Sequence, residues 1–97
     1  MAQSKKELLK RIRRGCCRLE PQIRRQARER HSLALLNAFS RIQCDATEML
    51  WELQYGHLVR RGTLERPMYA LRPVTSQQVA SLYKQWCGFS QQVVAAL

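Results

Sequence analysis

Apolar side chains recur at helical spacing over most of this chain. Ile42, Ala46, Met49, Leu50 and Leu53 fall at i, i+4, i+7, i+8 and i+11, one stripe at the 3.6-residue period. Asp45, with Glu48 three positions on, marks a helix start. Gly56 marks its end, because glycine adopts the left-handed conformation that a helix stop often needs. Upstream, Ser32 is a good N-cap for a helix over 33–39 with Leu33, Leu36 and Phe39 inward, and 40–43 reads as a turn. Downstream, 58–61 and 68–71 read as short strands on either side of the turn-rich 62–67, which predicts a β-hairpin.

The flanks are helical too. Ser4 and Glu7 have capping-box spacing ahead of Leu8, Leu9 and Ile12, so a helix is expected over 5–14, with Gly15 weakening or ending it. Pro21 suits a first turn, which starts a new helix near Glu20 with Leu19, Ile23 and Ala27 repeating every four residues. That second helix is expected to pack on the core, the first to extend from it. After Pro73, Thr75 or Ser76 caps a last helix whose stripe is Val79, Leu82, Tyr83, Trp86, Phe89, Val93 and Leu97. Gly88 interrupts it at a cost of roughly 1 kcal/mol relative to alanine. The stripe can fold onto its own core or pair with a second copy. The expected divisions are a basic N-terminal extension over 1–18, a central domain over 19–72 and a C-terminal helix over 73–97.

Ninety-seven residues suit a single core that needs no staples. Charge then changes the picture. Lys and Arg total 17 against 7 acids, a formal +10. Residues 1–30 carry 11 bases and 3 acids, whereas 73–97 carry only Lys84. A basic end of this strength points to a polyanion, nucleic acid before an anionic membrane. Cys16, Cys17, Cys44 and Cys87 form no C-x-x-C pair, and His31 and His57 lie at no zinc spacing from them, so no metal and no cofactor is expected. Reduced thiols are the main reading, and a redox or soft-metal role for Cys16 and Cys17 the minor one. There is no membrane-length apolar run and no signal-peptide core, so a cytoplasmic protein is expected. With no glycine-rich phosphate loop, paired-histidine motif or nucleophile elbow, the chain does not read as an enzyme.

The run Ser32-Leu33-Ala34-Leu35-Leu36-Asn37-Ala38-Phe39, then 45–55, then Gly56-His57-Leu58-Val59-Arg60-Arg61-Gly62, then Tyr69-Ala70-Leu71, resembles the winged helix-turn-helix domains of bacterial and phage transcription regulators. The resemblance implies a mainly α fold with a small β-hairpin, flanked by an extra basic N-terminal helix and a C-terminal helix. It also implies a regulator of transcription that binds double-stranded DNA. The basic N-terminal helices (Arg24, Arg25 and Arg28) and the wing (Arg60, Arg61 and Arg66) would hold phosphates. The helix over 46–55, with Arg41 and Gln43 just before it and Thr47 and Glu48 on it, would meet base edges. Dimerisation through 76–97 would match paired half-sites.

One departure matters. With the stripe inward, the exposed positions of that helix are Asp45, Thr47, Glu48, Trp51, Glu52, Gln54 and Tyr55, three of them acidic and none basic. Hence a second hypothesis: an interaction module whose acidic and aromatic face of Glu48, Trp51, Glu52 and Tyr55 binds a protein. A lesser one is RNA binding through the arginine-rich 18–30 segment.

Overall fold

The computed structural model describes residues 4–62 and 73–96, and these form three helices: α1 (Lys5–Glu29), α2 (Leu33–Arg60) and α3 (Ser76–Ala95). No strand occurs among the described residues. The β-hairpin expectation is thereby corrected. Leu58, Val59 and Arg60 belong to the last turn of α2, while the second strand and most of the turn fall on 63–72, outside the described residues.

The helix-turn-helix is corrected as well, since α2 runs without a break through 40–43. The cause lies in the phase of its apolar positions. Phe39, Ile42, Ala46 and Leu50 are buried at i, i+3, i+7 and i+11, so the stripe of the first half continues in register into the second. A turn would throw the halves out of phase, and 40–43 hold neither glycine nor proline to force one. Asp45 is therefore an interior residue, and Thr47 donates its hydroxyl to the Gln43 carbonyl one turn back (2.8 Å). Gly56 is interior too. A Cβ there would lie 2.5 Å from both Glu52 carboxylate oxygens, so the glycine makes room for that side chain.

α1 likewise passes through both Gly15 and Pro21. Leu9, Ile12, Cys16 and Ile23 are fully buried along it, and this continuous inner face outweighs the local cost of a glycine and an interior proline, about 1 and 3 kcal/mol. Pro21 sits on the exposed side, where water can satisfy the Cys17 carbonyl that loses its donor. The Ser4 side chain caps the Glu7 N–H (3.2 Å), as the sequence predicts, but the helix it opens is 25 residues long.

The α1–α2 connection is a Schellman turn. His31 takes a left-handed φ of 51°, its N–H reaches the Arg28 carbonyl, and the Ser32 N–H reaches that of Ala27 (3.3 and 2.9 Å). Ser32 then caps Leu35 N–H (3.3 Å), and Thr75 with Gln78 forms a complete capping box on α3. α3 runs parallel to α1, pinned at one end by Lys5 Nζ to the Val74 carbonyl (2.8 Å) and at the other by Gln26 Nε2 to the Val93 carbonyl (2.9 Å). α2 returns antiparallel and packs against both. Val79, Leu82, Trp86 and Val93 of α3 close the core, with Tyr83 and Phe89 half-buried against it, while Leu97 lies outside the described residues. A Cβ at Gly15 would lie 2.9 Å from Trp86 Cε2 and closer still to Cζ2, which fixes glycine where the indole crosses α1. Among the described residues no helix is long and apolar enough to cross a membrane.

Candidate nucleic-acid interface

Because α1 is unbroken and its core positions share one side, its opposite side is a single solvent face. Lys6, Lys10, Arg11, Arg13, Arg14, Arg18, Arg24, Arg25 and Arg28 are all exposed on it. From Lys6 to Arg28 the ridge extends roughly 33 Å at the helical rise. Arg24 is held by Glu20 (2.9 Å), and Arg25 stands 4.0 Å from Glu29. Arg11 donates to the Tyr83 hydroxyl across the α1–α3 seam (3.4 Å). Among the described residues, Lys6, Lys10, Arg13, Arg14, Arg18 and Arg28 face no carboxylate within salt-bridge reach. Nine exposed cations against three acids, Glu7, Glu20 and Glu29, on one helix leave a net positive rod, an electrostatic footprint for a polyanion.

The structure distributes the other sequence-derived candidates differently. Arg24, Arg25 and Arg28 lie on the ridge, together with the cations at 6–14 that an expected break at Gly15 separates from them. Arg41, Thr47 and Glu48 are exposed on α2 and Gln43 is half-buried, on a helix interior rather than at a helix start. Arg61 is the exposed C-cap of α2, and Arg66 lies outside the described residues. Arg60 bonds Glu52 Oε1 at 2.6 Å, two turns back over Gly56, so part of its charge is neutralised within the chain. Glu52 itself is 7 % exposed. This takes it off the acidic–aromatic face, where Trp51 and Tyr55 remain as a tilted ring pair with centroids 5.3 Å apart.

Cys16 is buried and Cys17, about 100° further around α1, is exposed. Burial, with smaller contributions from Cys17 and Glu20, pushes the Cys16 thiol up to about 11. A thiol so rarely ionised is a poor nucleophile or metal ligand.

Comparison with protein-family models, with curated protein sequences and with solved structures finds no match to the chain.

Proposed function

We propose that this protein binds double-stranded DNA by laying the α1 ridge along the phosphate backbone. The observation that carries the reading is the run of exposed cations from Lys6 to Arg28 on one uninterrupted helix, most of them without an acidic partner among the described residues. Contacts of this kind give affinity through counterion release and carry no base sequence. The ridge holds no aromatic side chain on which unpaired bases could stack, which favours a duplex over a single strand. The four unpaired thiols suit a reducing compartment, so the cytoplasm is part of this proposal. Control of transcription is one use of such a surface.

The test is binding of the full chain to a random-sequence duplex from about 50 to 300 mM salt. If five to eight phosphates are neutralised, the log–log slope is about −4 to −7, and Arg13→Ala with Arg14→Ala makes it shallower by about 2. An absence of binding at the lowest salt removes the proposal.

A further inference from the structure

The outer face of α3 differs from an ordinary solvated helix face. Gln77, Ser81, Lys84, Gly88, Gln91 and Ala95 follow one another at i, i+4, i+7, i+11, i+14 and i+18, and every one is exposed. Amide, hydroxyl and small groups make up this line, with one cation and no acid. Such a composition avoids repulsion from phosphates and offers the groups that pair with base edges: glutamine to adenine, lysine to guanine, serine to either donor or acceptor.

Gly88 is a second and independent observation. A Cβ at this position would meet nothing within 4 Å, so packing within the chain does not call for glycine in a helix interior, where it is costly. The bare backbone there permits close approach by something outside. The third observation is position. Arg11 on α1 donates to Tyr83 on α3, so the ridge meets α3 on its Tyr83 flank, about a third of a turn around the helix from this line. A helix of about 10–12 Å diameter fits a major groove of about 12 Å, with a phosphate row against the neighbouring rod. The opposite flank of the α3 face carries Asp45 across a groove lined by Gln77, Ser81 and Gln85, which turns the favourable approach toward the α1 side.

We infer that α3 is the base-reading helix: Gln77, Ser81, Lys84 and Gln91 contact base edges in the major groove while the α1 ridge holds the adjoining phosphates. This rests on the duplex-binding proposal above, and it moves base contact away from Thr47 and Glu48.

The experiment is selection of preferred sites from a randomised duplex library with the full chain, followed by affinity for the selected site and for a random duplex. Two variants are compared with the parent: Gln77→Ala with Ser81→Ala and Gln91→Ala, which leaves every charge in place, and Gly88→Leu. The expected result is a selected site bound at least 10-fold more tightly than random duplex. In both variants that preference falls below about 3-fold, random-duplex affinity stays within about 2-fold, and the melting temperature is not lowered. The inference is overturned if the triple-alanine variant keeps the preference, or if the parent binds random duplex but selects no site; in the latter case the ridge proposal stands alone. Failure to bind any duplex overturns the ridge proposal itself, and with it this one.

Discussion

Trp86 lies across α1 where a side chain larger than hydrogen would collide with its ring. Gly15→Ala therefore sets a gain in helix propensity of about 1 kcal/mol against a steric clash in a packed core. The clash is expected to win, with a net loss of about 1–3 kcal/mol read by urea unfolding. Cys16 provides a pH-dependent counterpart. Its folded thiol ionises near 11 and its ordinary value is 9.0. Between these values the unfolded chain has released a proton that the folded chain retains, so stability falls as pH rises through this window. Comparison with Cys16→Ala isolates the effect from other groups that titrate there: the parent should lose about 2 kcal/mol more than the variant between pH 9 and 11.

At the scale of elements, the three true helix starts are legible in the sequence, together with two false ones near Glu20 and at Asp45, and the true helix ends are not. Ser4, Ser32 and Thr75 cap through their own side chains within three residues, so local reading finds them. Gly15, Gly56 and Pro21 look like punctuation, yet the first makes room for Trp86, the second makes room for Glu52, and the third lies where water tolerates it. Their reasons sit on other turns or other helices, beyond the reach of a local rule. The cost to the functional reading is specific. A break at Gly15 divides the cations of α1 into an extension and a short helix, and only in the continuous rod do they align. The signal that could have joined them was the phase of Leu9, Ile12, Cys16 and Ile23 across the glycine. The real stop is His31, a residue seldom held left-handed. His31→Gly should raise stability by about 1 kcal/mol, visible as a higher urea midpoint.

The whole molecule is a slab, 48 × 34 × 18 Å, with a radius of gyration of 15.1 Å, where a compact chain of this length has about 12.5 Å. Such a shape gives α1 a long free edge. It also means that the cations of that edge act on one another whether or not a partner is present. In the free protein they push apart along a rod that cannot bend away, and folding works against this self-repulsion. Small ions relieve it. Raising sodium chloride from about 20 to 300 mM should therefore stabilise the free protein by about 1 kcal/mol, an increase of about 4–8 °C in Tm. This is the reverse of what the same salt would do to the proposed complex with duplex DNA. A polyanion that neutralises the edge relieves the strain too and adds its own binding energy, so the ridge makes the fold a sensor of its surroundings: weakest in dilute salt alone, and firmest when its charge has found a counterpart.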